Sequence, residues 1–255
     1  MMTPENNRLT KPLKWYRGLA EKENRLEAGA FMLEGERAIR QIMLSRPDAI
    51  LEILSTEIQP AFDRYPRRLL TRSQMRAIST SVTPQGTAAL VAFSRDIYSR
   101  SLPPMLPGNV LLLEDVQDPG NVGTLIRAAA AFDYAGVILS DRCADPLSPK
   151  CVQSSAGSTL SLWLRKSAAY LEMALELKKN GFVLVATDLT AETDAGVLSQ
   201  PHALLLALGN EAAGLSKPML DICHRRIRIP IAGEKAESLN VATCGAICMY
   251  LSRHT

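Results

Sequence analysis

The sequence has few of the residues that form disulfide frameworks or metal centres. Its 255 residues include an odd number of cysteines without any C-x-x-C pair, namely Cys143, Cys151, Cys223, Cys244 and Cys248. Neither a disulfide framework nor a zinc ribbon is predicted, and we expect buried free thiols and no metal. Cys244 and Cys248 have i,i+4 spacing, but no histidine is near them in sequence, which favours packing over metal binding.

Histidine is also scarce, since the chain has three. His202 precedes an apolar run, His224 lies in a basic turn and His254 is next to the last residue. This placement gives no support to a histidine-based hydrolase.

Long apolar runs are absent as well. No run approaches the roughly 20 residues that span a bilayer, and the start, MMTPENNRLTKPLK, lacks the apolar core of a signal peptide. We therefore expect a cytoplasmic protein that has no membrane among its partners.

The net charge of +3 is unevenly distributed. Residues 1–100 have 16 Lys and Arg against 11 Asp and Glu, whereas residues 101–255 have 13 against 15. A basic first part beside a slightly acidic second part is consistent with a first part that contacts a polyanion.

Short apolar runs alternate with helix-like segments from residue 110 onward. The runs, which we expect to be strands, are VLLLEDV (110–116), GVILS (136–140), FVLVAT (182–187), ALLLAL (203–208) and RIRIPI (226–231). Near-continuous apolar strands between helices are typical of a parallel sheet that is covered on both faces. The sequence therefore predicts an α/β domain over residues 110–255.

A proline-rich segment divides the chain. SLPPMLPGN (101–109) has three prolines and a glycine, which indicates a linker. Residues 1–100 are predicted to form a smaller α/β domain with strands at FMLEG, AILEIL and LVAFSR. The helix after FMLEG has apolar residues spaced for one buried face, namely Ala38, Ile39, Ile42 and Met43.

Three loops that follow the predicted strands have unusual compositions. They are DPGNVGTLIRAA (118–129), LGNEAAGLS (208–216) and IPIAGEKAESLN (229–240). Ligands of open α/β sheets bind outside the carboxyl ends of the strands, so these loops are the candidates for a site. A dinucleotide-binding loop is not predicted, because the G-x-G-x-x-G pattern is absent.

Single residues of these loops also have simpler interpretations. Asn121 is expected at or near a helix N-cap, and Arg127 in the second turn could reach a phosphate or form a surface ion pair. Glu211 is either a charge at a helix N-terminus or a group directed at a ligand. Ser238 is predicted to be the N-cap of the final helix, which leaves Asn240 unexplained.

Taken together, the three loops resemble the motifs of the SpoU (TrmH-like) branch of the SPOUT RNA methyltransferases. The motifs read DPGNVGTLIRAAAAF, LGNEAAGLS and IPIAGEKAESLNVATCGAI, and the resemblance covers residues 108–255. The earlier segment GAFMLEGERAIRQIM is similar to the RNA substrate-binding domain that many SpoU proteins have.

The resemblance implies a parallel sheet with a deep trefoil knot and a homodimer with a composite active site. It implies that S-adenosylmethionine binds at Thr187, Leu208, Gly209, Asn210, Glu211, Ile229, Ile231, Ser238 and Leu239. It also implies that the reacting centre is formed by Arg127, Asn121, Glu211, Ser238 and Asn240.

The implied reaction is methylation of a ribose 2′-hydroxyl. Much of the acceleration of such a transfer can come from alignment of the oxygen with the methyl carbon. A guanidinium stays protonated, so we expect Arg127 to stabilise the developing oxyanion and position a phosphate rather than act as a base.

The chain departs from the family pattern at two positions. Gln153 stands where a basic residue is frequent, so that Lys150 is a candidate to supply the charge, and Asp133 stands where glycine is usual. The best candidate RNA-binding patch of the first part is formed by Arg64, Arg67, Arg68, Arg72 and Arg76, and an ordinary solvated surface explains these residues equally well. Trp15 and Tyr16 either stack on bases or pack within their own domain.

The expected function is thus S-adenosylmethionine-dependent RNA 2′-O-methylation. The added first domain favours ribosomal RNA, because the simplest transfer-RNA members lack one. Two alternatives are the same chemistry on transfer RNA and a non-catalytic RNA-binding protein in ribosome assembly, which would not need all five residues of the reacting centre.

Overall fold

A computed structural model describes residues 11–81, 83–199, 203–232, 235 and 237–253, and these residues form two sheets. His202 and His254, discussed above, lie outside the described residues. The elements of the first part are α1 (Leu13–Gly18), α2 (Lys22–Ala28), β1 (Ala30–Glu34), α3 (Glu36–Ser45), β2 (Ile50–Ser55), β3 (Arg67–Leu69), α4 (Arg72–Ile78) and β4 (Thr87–Ala92).

The elements of the second part are β5 (Val110–Leu113), α5 (Pro119–Ala131), β6 (Gly136–Leu139), α6 (Pro149–Ser155), β7 (Trp163–Lys166), α7 (Tyr170–Lys179), β8 (Val183–Thr187), β9 (Thr193–Asp194), β10 (Leu204–Leu208), α8 (Lys217–Ile222), β11 (Arg225–Arg228) and α9 (Val241–Leu251). Residues 101–109, between the two sets, contain neither helix nor strand.

The first sheet is mixed and has the order β1-β4-β2-β3. Its three longer strands lie at the three predicted runs, although β4 begins at Thr87 and ends at Ala92. The predicted face of α3 is buried through Ile39 and Ile42. The short β3 was not predicted, because its sequence Arg-Arg-Leu has no apolar pattern and it pairs only with β2.

The second sheet is parallel and has the order β7-β6-β5-β10-β8-β11-β9. All five predicted runs contain a strand, and every residue of β5, β6 and β10 is buried. The strand predicted over 226–231 is wrong at both ends, since β11 begins at Arg225 and ends at Arg228. Pro230 has no N–H to extend the ladder. Two strands were not predicted, because neither is an apolar run. They are β7, which contains Arg165 and Lys166, and the two-residue β9.

The two sheets share one apolar cluster, to which Phe31 and Leu33 contribute from β1 and Leu111 and Leu113 from β5. A buried ion pair reinforces the contact, because Arg25 of α2 binds Asp145 in the loop before α6. Asp145 also accepts a hydrogen bond of 2.8 Å from the Tyr98 hydroxyl. The first part is therefore fixed against the segment that leads into α6.

The central strands β5, β10, β8 and β11 run in the same direction, so their carboxyl ends meet at one edge of the sheet. All three candidate loops begin at this edge. Among the described residues, no helix is both long and apolar enough to cross a bilayer.

Candidate functional site

A chain of side-chain hydrogen bonds joins the three loops. Asn121 Nδ2 donates to Glu211 Oε1 over 2.8 Å. Asn240 Nδ2 donates to Asn121 Oδ1 over 3.1 Å. Residues that are far apart in sequence, one from each motif, thus converge at the carboxyl edge of the parallel sheet.

The N-cap of α5 is Asp118, and Asn121 lies near it in the first turn of the helix, as expected. Asp118 Oδ1 accepts a hydrogen bond of 2.9 Å from the Asn121 backbone N–H, while Oδ2 contacts Lys150 Nζ at 3.0 Å. The hydrogen bond from Lys150 and those from backbone N–H groups hold the pKa of Asp118 below its usual range. The side chain of Asn121 is therefore available for Glu211 and Asn240.

The N-cap of the final helix α9 is Asn240, and the prediction of Ser238 as this cap is wrong. Asn240 Oδ1 accepts hydrogen bonds from the backbone N–H groups of Ala242 (2.9 Å) and Thr243 (3.3 Å). One amide therefore both starts the helix and contacts Asn121, which explains why an asparagine follows Ser238 so closely. Ser238 lines a cavity instead.

A cavity of about 440 Å³ lies beside this network, at the ends of β8, β10 and β11. The predicted cofactor residues that line it are Thr187, Gly209, Asn210, Glu211, Ile229, Ile231, Ser238 and Leu239. Leu208 does not line it, because its side chain is fully buried and packs close to Gly245 of α9. Lining residues that sequence reasoning missed include Leu189, Leu215, Arg226, Arg228, Val241 and Cys244.

The loop over residues 209–216, called the β10 loop below, is a tight backbone turn. Asn210 and Gly214 exchange two backbone hydrogen bonds of 2.9 and 3.1 Å. A Cβ atom on Gly209 would lie 2.2 Å from the carbonyl carbon of Gly214, so glycine is required there. The Asn210 side chain accepts from the N–H groups of Ala212 and Ala213, which makes it a shaping residue of the loop.

Arg127 lies apart from the hydrogen-bond network. Because α5 begins at Pro119, Arg127 is in the third turn and not in the second. It is about 9 Å along the helix axis from Asn121, at 1.5 Å per residue. Its side chain is exposed, as is Thr124 one turn earlier. Among the described residues it forms neither a hydrogen bond nor an ion pair, so a simple surface ion pair does not account for it.

The two positions at which the sequence departs from the family pattern, Gln153 and Asp133, lie close to α5. Lys150 is in α6 and pairs with Asp118 at the start of α5, with its side chain 62 % exposed. Gln153 is one turn further along α6 and is also exposed. Asp133 has a φ of +60°, a left-handed conformation that suits the glycine usual at this position.

The five candidate arginines of the first part differ in their contacts. Arg67 pairs with Asp63 at 2.8 Å, Arg68 binds the Lys11 carbonyl, and Arg64 lies over the ring of Tyr65. Arg72 and Arg76 are exposed on α4.

The aromatic pair of α1 packs within the first part. Tyr16 is buried and its hydroxyl donates to Glu52 over 2.6 Å, so Tyr16 does not stack on bases. Burial and the Glu52 carboxylate raise the pKa of Tyr16 to about 12. Trp15 is half-buried and lies edge-on to Tyr16.

The fold and site define a parallel α/β protein with a ligand cavity at the carboxyl edge of its sheet. A family profile described as the SpoU rRNA Methylase family matches residues 108–250, and this chain belongs to that family. The protein 23S rRNA (guanosine(2553)-2'-O)-methyltransferase RlmP of Bacillus subtilis (strain 168) is 30% identical over 247 residues, which cover 93% of this chain and 94% of RlmP.

Two further proteins extend the likeness. The 23S rRNA (uridine(2479)-2'-O)-methyltransferase of Streptomyces viridochromogenes is 28% identical over 253 residues, covering 93% of this chain and 87% of that protein. The crystal structure of an AdoMet-bound rRNA methyltransferase from Sinorhizobium meliloti superposes with a TM-score of 0.81 at 27% identity and covers 96% of this chain and 95% of that one.

Proposed function

We propose that this chain is an S-adenosylmethionine-dependent methyltransferase that modifies a ribose 2′-hydroxyl of ribosomal RNA. The observation that carries the proposal is the hydrogen-bond chain Glu211–Asn121–Asn240 beside the cavity. It brings together one polar residue from each of three motifs. Two relatives that align over most of both chains are 23S rRNA 2′-O-methyltransferases, which supports both the reaction and the substrate class.

The cavity fits the proposed cofactor in size and in the character of its walls. Its volume of about 440 Å³ is in the range of about 300–1,000 Å³ that is usual for small-molecule sites. Ile229, Ile231 and Leu239 offer apolar surface for an aromatic base, and Thr187 and Ser238 offer hydroxyls. When bound, S-adenosylmethionine supplies a methyl group on a positively charged sulfur.

Glu211, Asn121 and Asn240 form the fixed part of the reacting centre. The carboxylate of Glu211 at the cavity complements a cationic ligand, since opposite charges attract. Asn121 holds that carboxylate in one orientation, and Asn240 holds Asn121. Ser238 lines the same cavity. Such preorganisation lowers the cost of alignment at the moment of reaction.

Arg127 binds the RNA at the reacting ribose. Its guanidinium stays protonated, so it stabilises the oxyanion that develops at the 2′-oxygen and holds a neighbouring phosphate. Its exposure on α5 and its lack of a partner among the described residues support this role, because the group is available to an incoming anion.

The active unit is a homodimer with a composite site. α9 packs against α5, and the exposed Tyr250 of α9 lies 6.1 Å from the ring of Phe132 just after α5. These two helices therefore offer an aromatic surface at their C-terminal ends. A partner subunit that packs here and brings Arg127 of one chain towards the cavity of the other would account for the separation of Arg127 from the network.

Mixed dimers test this arrangement. Arg127→Ala and Glu211→Ala are each expected to be inactive alone, and co-expressed heterodimers are expected to regain activity at one site. No recovery in heterodimers isolated with two affinity tags would overturn the composite site, and a monomer in light scattering would overturn the dimer.

The C-terminal segment is threaded as a trefoil knot. β11 is separated from β5 by β8 and β10, whereas α9 packs on α5, which follows β5. Two strands thus separate β11 from the strand that leads into the helix on which α9 packs, which supports the threading. Electron density traced continuously from β11 to α9 tests it.

The first part, residues 1–100, binds RNA through phosphates. The exposed Arg72 and Arg76 of α4 are its best contacts, whereas Arg64, Arg67 and Arg68 have partners within the protein. Arg72→Ala/Arg76→Ala is expected to weaken RNA binding and reduce its salt dependence, measured by filter binding over a salt series. The pair Glu21→Ala/Glu23→Ala, also in the first part, is the control.

The decisive experiment is a transcriptome-wide map of ribose 2′-O-methylation in cells with the chain, without it and with Arg127→Ala. Loss of one mark in ribosomal RNA that the variant does not restore is the expected result. Loss of a mark in transfer RNA would keep the chemistry and change the substrate. No change in any mark would favour a non-catalytic RNA-binding role.

A further inference from the structure

Two consecutive residues just after β5, Glu114 and Asp115, hold the two ends of the β10 loop. Glu114 is 3 % exposed, and its carboxylate accepts hydrogen bonds from the Ser216 N–H (2.7 Å), the Ser216 hydroxyl (2.6 Å) and the Tyr170 hydroxyl. All three donors are neutral, and none of the ion pairs among the described residues involves Glu114. Burial of a carboxylate that has only neutral hydrogen-bond donors costs desolvation free energy, so a role for Glu114 is expected.

Asp115 fixes the opposite end of the loop. It has a φ of +57°, a left-handed conformation that is uncommon for a residue other than glycine and that concentrates at functional sites. In this conformation its carbonyl oxygen accepts a hydrogen bond of 2.9 Å from Asn210 Nδ2. Ser140 secures the turn, because its hydroxyl donates to Asp115 Oδ1 (2.7 Å) and accepts from the Asp115 N–H (2.9 Å).

Elsewhere the loop is held by the buried side chain of Leu215 and by the hydrogen bond between Glu211 and Asn121. Residues 211–214 at its tip are exposed, so they contribute few packing contacts. The anchors at Asn210 and Ser216 therefore contribute much of what sets the position of its two ends. The same loop presents Glu211 to Asn121 and forms one wall of the cavity.

We propose that Glu114 and Asp115 are positioning residues that set the place of the β10 loop, and with it the carboxylate of Glu211 and one wall of the cofactor cavity. The part of this inference that concerns catalysis rests on the proposed function, whereas the part that concerns the loop does not. Neither residue touches the reacting atoms. They act through Asn210 and Ser216.

The test compares Glu114→Leu, which removes every acceptor, with Glu114→Gln. The amide oxygen of glutamine can accept from the Ser216 N–H, and its NH₂ can donate to a rotated hydroxyl, so this variant retains the anchor. Ser216→Ala removes the hydrogen bond from the Ser216 hydroxyl to Glu114. It replaces Glu114→Leu in the test if that variant does not fold. Glu52→Leu is the matched control, because Glu52 also accepts from a tyrosine hydroxyl but lies far from the loop.

Hydrogen–deuterium exchange of the amides in residues 209–216 is the first readout. We expect exchange in Glu114→Leu and Ser216→Ala to rise at least about tenfold, and exchange in Glu114→Gln and Glu52→Leu to match the wild type. Unchanged exchange in both Glu114→Leu and Ser216→Ala overturns the inference. This readout does not depend on activity.

Cofactor affinity and turnover form the second readout. Displacement of a reacting group by about 1 Å can cost on the order of 100-fold in rate. We expect Glu114→Leu to raise the Kd for S-adenosylmethionine about tenfold and to lower kcat, with rescue in Glu114→Gln. A purely structural role would lower Tm and leave both constants unchanged in the folded fraction. If the wild type does not bind S-adenosylmethionine, the proposed function fails while the exchange result still decides the inference.

Discussion

Asn121 of α5 stands between Glu211 and Asn240 and bonds to both through the two atoms of its amide. Its Nδ2 donates to the carboxylate, and its Oδ1 accepts from the second amide. No other residue type of this size offers one donor and one acceptor in the same plane. Asn121 therefore links one polar residue of each of the other two loops.

Asn121→Ala is expected to lower kcat roughly 10–100-fold, because both hydrogen bonds are lost and Glu211 is no longer oriented. Asn121→Asp keeps the shape but presents a carboxylate to Glu211, and like charges at this distance repel. We expect Asn121→Asp to lower kcat at least as much as Asn121→Ala does. Single-turnover methylation of RNA measures both.

A double-mutant cycle measures the coupling energy between Asn121 and Glu211. Asn121→Ala and Glu211→Ala are expected to be non-additive, since each removes the same contact. Glu172→Ala, on the exposed face of α7, is the control and should retain full turnover. Additive effects would show that the two residues act independently.

Arg127→Lys retains the charge but loses the planar fork of the guanidinium. We expect a fall in kcat for Arg127→Lys and a larger fall, about 100-fold or more, for Arg127→Ala, as for the loss of an oxyanion donor. The Kd for S-adenosylmethionine measured by calorimetry should remain unchanged, because Arg127 is proposed to contact the reacting ribose and a phosphate of the RNA and not the cofactor. Lys179→Ala at the exposed end of α7 is the control.

Full turnover in Arg127→Lys would show that charge alone is sufficient and that positioning by the fork is wrong. A large loss of cofactor affinity in Arg127→Ala would instead place this residue in the cofactor site.

Gly209→Ala is expected to disrupt the β10 loop. The added Cβ would lie 2.2 Å from the carbonyl carbon of Gly214, and backbone cannot move aside as a side chain can. We expect a stability loss of about 1–3 kcal/mol, as for other overpacked sites, together with weaker cofactor binding. Thermal unfolding and calorimetry measure the two effects.

Gly18→Ala provides the comparison, because its added Cβ would meet only the amide of the Asn24 side chain at 3.2 Å. It should leave cofactor affinity unchanged. Wild-type affinity in Gly209→Ala would mean that the loop can shift without effect on the cavity.

The strands of both sheets could be predicted where apolar residues are continuous. Every residue of β5 and β10 is buried, and each strand was found from its composition. β7 could not be found in this way because Arg165 and Lys166 occupy half of it. Their charged ends bind backbone carbonyl groups, Arg165 that of Ser101 and Lys166 that of Ser140. A hydropathy pattern does not show that these charged groups have hydrogen-bond partners.

The candidate site could be predicted only in part. The polar residues of the three motifs were identified from the sequence, but their caps were assigned by proximity to the helix start. Asp118 caps α5, with Asn121 near the cap as expected, whereas Asn240 and not Ser238 caps α9. Several residue types cap equally well, so the sequence alone does not decide which of two neighbours does so. Glu114 was missed because the predicted strand over residues 110–116 included it, whereas β5 ends at Leu113.

Asp118→Asn is expected to change the pH dependence of stability without loss of the cap, because asparagine caps helices as well as aspartate does. The pKa of Asp118 is lowered in the folded protein, chiefly by the hydrogen bond from Lys150. A lowered folded-state pKa stabilises the protein above the ordinary value of 3.8, and this stabilisation is lost as the pH falls through the folded-state value. Both partners are largely exposed, so the contribution at pH 7 is at most about 1 kcal/mol.

Chemical unfolding of the wild type and Asp118→Asn from pH 7 to pH 2.5 measures this contribution. The wild type should be slightly more stable at pH 7, and the difference should vanish once the pH is below the folded-state pKa of Asp118. Lys150→Met should reproduce the loss at pH 7, and about 1 M salt should reduce it, since exposed charges are screened. A difference that persists at the lowest pH would mean that Asp118 stabilises the start of α5 through its shape as a cap and not through its charge.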